Sequence, residues 1–158
     1  MNVYFDPFEF EFWLPVLVSL FCGVTVGLER QLRGKPLDVR TAVLICLGTQ
    51  IFIRLGSSHT GFAVDPTRVL GQVVTGIGFL GAGVMFTRGS YVMGLTTAAV
   101  IWVLAAIGAC IGFGNYGAAI ALALVTFAVL NVLEVIEDRL ASMRKGAHSK
   151  NESPDRHL

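Results

Sequence analysis

Between Val69 and Ile136 the chain carries only two side chains of the Asp, Glu, Lys and Arg types, Arg88 and Glu134. A water-soluble domain does not leave so long a stretch uncharged. Its charged residues run to about 25%, against 15% over this whole chain, where 54% of residues are hydrophobic. The same stretch holds the run GIGFLGAG, Gly76 to Gly83. In water each of its glycines would weaken a helix by about 1 kcal/mol relative to Ala. In lipid, glycine lets helix backbones approach closely, and close packing is a main source of attraction between membrane helices. Together these features predict an all-α fold class, a polytopic transmembrane helix bundle.

Five apolar segments are candidate spans: Phe12–Leu28, Thr41–Leu55, Val69–Phe86, Leu95–Ile111 and Tyr116–Ile136. Most are slightly shorter than the ~20 residues a bilayer needs, a gap that tilt or interfacial residues close. Thr41–Leu55 is the shortest and contains Gln50; it either begins earlier, near Asp38, or crosses only in part. Charge sets the orientation. With the N-terminus outside, ten of the 12 basic residues fall on the inner side, and only Arg54 and Arg68 remain outside. That bias predicts an N-out, C-in topology. The acidic leader with Asp6, Glu9 and Glu11 does not read as a cleavable signal. The expected organisation is an outer segment over 1–11, a five-helix membrane domain over 12–136, and a polar, disordered cytosolic tail over 137–158.

Catalytic signatures are absent from the sequence. Cys22, Cys46 and Cys110 lie in three different spans and read as small buried hydrophobes. His59, His148 and His157 have no metal-ligand spacing. Gly76, Gly78 and Gly81 match GxGxxG, but within a span and without the acidic residue that a dinucleotide site needs. The expectation is a non-enzymatic protein with no cofactor, an unknown metal dependence and no nucleic-acid partner, the net charge being only +1.

Small residues recur on single helix faces: Gly23 and Gly27, Gly76 to Gly83 with Gly78 and Gly81, and Gly108 and Gly112. Spacing of four puts such residues on one face. Two readings of the Gly76–Gly83 run stay open: tight helix packing, or a locally unwound helix whose backbone lines an ion or substrate site. Five spans offer more such faces than one bundle can bury against itself, so a homodimer in the lipid bilayer is expected, through the third or fourth span. A weak repeat at an offset of 55 pairs Gly23 with Gly78, Arg33-Gly34 with Arg88-Gly89, and Thr41 with Thr96.

Polar residues gather at the predicted inner edge: Glu29 and Arg30 after the first span, Arg40 and Thr41 opening the second, Arg88 after the third, Thr96 and Thr97 opening the fourth, and Glu134 closing the fifth. Arg33 and Lys35 read as ordinary interfacial anchors. Glu29 and Glu134 are short side chains that reach water less readily, so a pairing with Arg30, Arg40 or Arg88 is expected. Ionisable groups at membrane depth are functional candidates. At the outer edge, Asp65 and Pro66 look like a helix start, and Arg68 beside them is left without a capping role.

The blocks GLERQLRGKP with VRTAVLICLG, DPTRVLGQVVTGIGFLGAGVMF and GLTTAAVIWVLAAIGACIGFGNY, in this order from Gly23 to Tyr116, closely resemble the MgtC/SapB family of bacterial membrane proteins. The resemblance implies an inner-membrane, multi-pass protein of about five spans with a periplasmic N-terminus. It implies association with growth in low magnesium and with stress and intracellular survival, through regulation of other membrane systems, or else transport of a cation, magnesium or the proton. Another inner-membrane protein would then be a partner. Longer members add a cytosolic ACT-like domain, which is not expected here. The family motifs fall here on Glu29, Arg30, Arg40, Thr41, Asp65, Arg68, the glycines of the Gly76–Gly83 run, Gly94, Thr96 and Thr97. Against selective magnesium transport stands the absence of any acid at central membrane depth, since magnesium sites use one or two carboxylates plus water.

Overall fold

The computed structural model describes residues 6–58, 66–89 and 91–149. Five helices follow one another: α1 (Phe10–Leu32), α2 (Val39–Ser58), α3 (Pro66–Gly83), α4 (Leu95–Gly112) and α5 (Tyr116–Ser149). Between α3 and α4 lies a short antiparallel hairpin, β1 (Phe86–Arg88) and β2 (Tyr91–Met93), pairing Phe86 with Met93 and Thr87 with Val92. The hairpin is an addition to the all-helical expectation.

α4 occupies the centre and packs against each of the other helices. It is apolar all round, the pattern of a core helix or a membrane span, with one face buried in the bundle and Trp102 on the exposed one. Leu104, Ile107 and Ile111 of α4 are fully buried beside Cys22 and Val26 of α1 and Cys46 of α2. Glycine makes the tightest crossings possible. A Cβ at Gly23 would lie 2.6 Å from the Val43 Cα, and one at Gly27 would lie 2.7 Å from the Val39 Cα, so α1 and α2 touch backbone to backbone. Gly108 and Gly112 do the same between α4 and α2, against the Cys46 carbonyl oxygen at 2.6 Å and the Ile53 Cβ at 2.6 Å. Gly56 closes on Val69 at the far end of α2.

The outer surface of the bundle is apolar, with Phe79 80% and Leu44 65% exposed. So large an apolar surface marks a partner phase other than water. Among the described residues, four helices are long and apolar enough to cross a membrane: Phe10–Leu32, Val39–Ser57, Leu95–Gly112 and Tyr116–Ile136. The second apolar segment is therefore a full-length helix, not a partial one. It starts early because Asp38 accepts a 2.8 Å hydrogen bond from the Thr41 N–H, a side-chain cap. α3 is not among the four, since Arg68, Gln72 and its many glycines dilute its apolar content. It nonetheless runs the depth of the bundle, from Val69 against Gly56 at the end of α2 to Val84 against Gly94 at the start of α4.

Two further expectations change. α3 is a continuous helix to Gly83, which removes the unwound reading of the glycine run. And α5 does not stop at the edge of its apolar part. It continues to Ser149, through a sequence of helix formers with no proline to end it, where disorder was expected from residue 137.

Candidate functional site

The site lies where α1 turns into α2. Gly34, at φ +63°, ends α1 in the left-handed region. Its N–H bonds the Gln31 carbonyl and the Lys35 N–H bonds the Arg30 carbonyl, both at 3.0 Å. This paired closure turns the chain sharply. It leaves Glu29, Arg30, Arg33 and Lys35 together at one end of the bundle, facing Asn131 and Glu134 of α5.

Glu29 is 4% exposed, an unusual burial for a carboxylate. Arg33 Nε lies 2.7 Å from Glu29 Oε1, one helical turn on, as an ion pair whose alignment falls short of a hydrogen bond. The same guanidinium pairs with Glu134 and donates a 2.6 Å hydrogen bond to Asn131 Oδ1. Asn131 in turn donates 2.8 Å back to the Phe127 carbonyl, which fixes its amide. Lys35 Nζ stands 3.9 Å from Glu134 Oε1. Arg33 thus joins two carboxylates from two helices. Arg30 is 4% exposed, reaches Glu29 only at 4.0 Å, and its Nε has no hydrogen-bond partner.

The structure brings part of the predicted cluster together. Glu29, Arg30 and Glu134 converge. The expected partners of Glu29 are Arg30, Arg40 or Arg88; its short contact is instead Arg33, which with Lys35 reads from the sequence as an ordinary anchor. The signal was present as the i, i+4 spacing of Glu29 and Arg33 and of Phe127 and Asn131. Arg40 is exposed at the start of α2 and joins none of the described pairs. Thr41 serves α2 through the Asp38 cap, which holds the Asp38 carboxyl below its ordinary range. Thr97 is buried in α4, and Thr96 borders a groove beside Arg30. The Arg88 side chain and Asp65 lie outside the described residues. Arg68 is exposed in the first turn of α3.

Among the predicted packing glycines, Gly23, Gly27, Gly108 and Gly112 sit at close crossings. Gly81 makes ordinary contact with Ala98 at 3.8 Å, and Gly76, Gly78 and Gly83 face nothing within 4 Å. Within the chain, most of the GIGFLGAG run is an open face. The reason is that α3 is peripheral and turns Ile77 inward, not its glycines.

Chemically the cluster is an ion-pair latch between α1 and α5. Among the described residues no three His, Cys, Asp or Glu side chains gather as a metal site. At the opposite end a second cavity of about 540 Å³ lies between Glu11, Arg54, Ser57 and Tyr116, and Arg54 Nη2 donates to the Glu11 carbonyl at 3.5 Å.

No solved structure matches the chain. The family model described as MgtC family matches residues 16–139. YhiD of Escherichia coli strain K12, whose name assigns it provisionally to magnesium transport, is 44% identical over 142 residues, covering 84% of this chain and 64% of its own length. Protein MgtC of Brucella abortus (strain 2308) is 38% identical over 147 residues, covering 85% of this chain and 60% of its own. Protein MgtC of Salmonella paratyphi A is 35% identical over 141 residues, covering 89% and 60%. The chain thus spans under two thirds of the length of these relatives. A helical bundle with four apolar, membrane-length helices and a family match across nearly all of it make this multi-pass membrane protein a member of the MgtC family.

Proposed function

We propose that this chain is a non-enzymatic bacterial inner-membrane protein that adapts other membrane systems to low magnesium and stress. One observation supports this reading over transport: the two carboxylates of the latch already face a cation of the chain itself. Glu29 and Glu134 are held by Arg33, with Lys35 beside Glu134. A magnesium ion reluctantly sheds water and needs carboxylates free to face it. A latch whose carboxylates are already paired suits a protein that changes shape or docks a partner. The ten-to-two basic bias supports placing the latch on the cytosolic side. The open glycine face of α3, beside a groove of about 600 Å³ between α2 and α3, suits contact with a second copy.

The second reading is a cation transporter, which the name of the Escherichia coli relative favours. Reconstitution into liposomes with magnesium and proton flux measurements separates the two. Flux indistinguishable from empty liposomes is expected; flux well above it would establish transport and overturn the regulator.

A further inference from the structure

Beside the latch, between α4 and α5, runs a groove of about 450 Å³. That volume lies within the ~300–1,000 Å³ of ligand sites. Its ends differ. Arg30, Lys35, Thr96 and Glu134 form the mouth, and the walls beyond are apolar, Val103 from α4 and Val125, Val129 and Leu133 from α5. From Leu133 back to Val125 the wall extends about 12 Å at 1.5 Å per residue. Thr126, the one polar residue along it, spends its hydroxyl on the Leu122 carbonyl at 2.7 Å. The groove is thus polar at the membrane edge and apolar toward the membrane centre.

The mouth carries an excess of positive charge. Arg30, Arg33 and Lys35 stand against Glu29 and Glu134. Arg33 lies between both carboxylates, and Lys35 stands near Glu134. Arg30 is the cation left over. It is nineteen-twentieths buried, 4.0 Å from Glu29, with its Nε unpartnered, and it lines the groove. A buried guanidinium without an aligned acceptor carries a large desolvation cost. An incoming oxyanion would supply the acceptor, and planar N–H donors suit phosphate.

We propose that this groove binds one phospholipid, its phosphate at Arg30 and Lys35 and one acyl chain along Val103, Val129 and Leu133. Free phosphate would use the mouth alone and leave the apolar wall uncovered. The excess cation favours an anionic headgroup over a zwitterionic one. The site does not depend on whether the protein regulates or transports.

Native mass spectrometry of the full chain in mild detergent tests it, with phosphatidylglycerol, phosphatidylethanolamine and inorganic phosphate added in separate arms. One retained phosphatidylglycerol per chain is expected, in excess over phosphatidylethanolamine and with no retained phosphate. Arg30→Gln should lower retention roughly tenfold, the loss of one charge-assisted hydrogen-bonding group. Val129→Trp fills the apolar wall from an exposed position, so it tests the groove even where Arg30→Gln fails to fold; it too should displace the lipid. Equal retention of phosphatidylglycerol in wild type and Val129→Trp would overturn the proposal, as would retained phosphate that Arg30→Gln abolishes and Val129→Trp leaves intact, which would mean a bare anion site.

Discussion

A Cβ on Gly94 would collide with the Val84 carbonyl oxygen. Gly94 also sits at φ +87°, in the left-handed region, where it opens α4 directly after the hairpin. Gly94→Ala therefore meets two penalties at once, about 1–2 kcal/mol of backbone strain and a clash with backbone that cannot rotate away. Thermal unfolding in detergent should show the largest loss of any glycine-to-alanine change in the chain. A melting profile equal to wild type would mean the hairpin does not set the start of α4.

Glycines that look alike in the sequence should behave oppositely. Gly108→Ala forces α4 away from the Cys46 carbonyl and Thr49, and overpacking of this kind costs about 1–3 kcal/mol. Gly78→Ala meets open space, and gains up to about 1 kcal/mol of helix propensity. If a second copy packs on α3, Gly78→Ala lowers the dimer fraction without lowering monomer stability. Sedimentation alongside melting reads both quantities. A Gly78→Ala chain as damaged as Gly108→Ala would show that α3 packs more tightly than described.

Arg33→Met leaves the buried Glu29 with only Arg30, at 4.0 Å. Removing one partner of a fully buried pair typically costs about 3–5 kcal/mol, and the partial exposure of Arg33 places the loss at or below the lower end of that range. Glu29→Gln in the same chain removes the stranded charge and should recover much of that loss, so the two changes are far from additive. Chemical denaturation of the two single variants and the double variant gives the coupling. Additive losses would show that the latch carries no interaction energy.

The Asp38 cap should give α2 an acid sensitivity. Hydrogen bonds from Thr41, its side chain first and then its backbone N–H, hold the Asp38 carboxyl below the ordinary value, with Arg40 adding a smaller attraction. A carboxyl lowered in the folded state stabilises fully above the unfolded pKa. That contribution is lost as pH falls through the lowered folded value. The protection of first-turn amides of α2, relative to the intrinsic exchange rate at each pH, should fall toward acid pH. Asp38→Asn, which still caps but does not titrate, should flatten that fall. The same acid limb in Asp38→Asn would place the sensitivity elsewhere.

The helices were legible because the apolar runs between charge clusters have few other uses, and Gly34 and Asp38 punctuate the first turn plainly. What each glycine touches was not legible. Gly78 and Gly108 have the same local sequence character, and only the position of α3 at the rim and α4 at the centre separates them. Arg33 was passed over because a basic residue in a loop is ordinarily solvated; its role depends on Asn131 and Glu134, 98 residues further on in the case of Asn131. The hairpin escaped notice because three-residue strands are too short to show a period.

That long separation also fixes an order of events in synthesis. Glu29 and Arg33 leave the ribosome with the first helix, while Asn131 and Glu134 arrive with the fifth. Until then the turn after α1 holds three cations and one carboxylate, and the face of α1 that will meet α5 stands bare. The last helix to be made is the one that completes the latch, so a chain cut short before Asn131 carries its own marker of incompleteness in an arginine that has met only one of its two carboxylates.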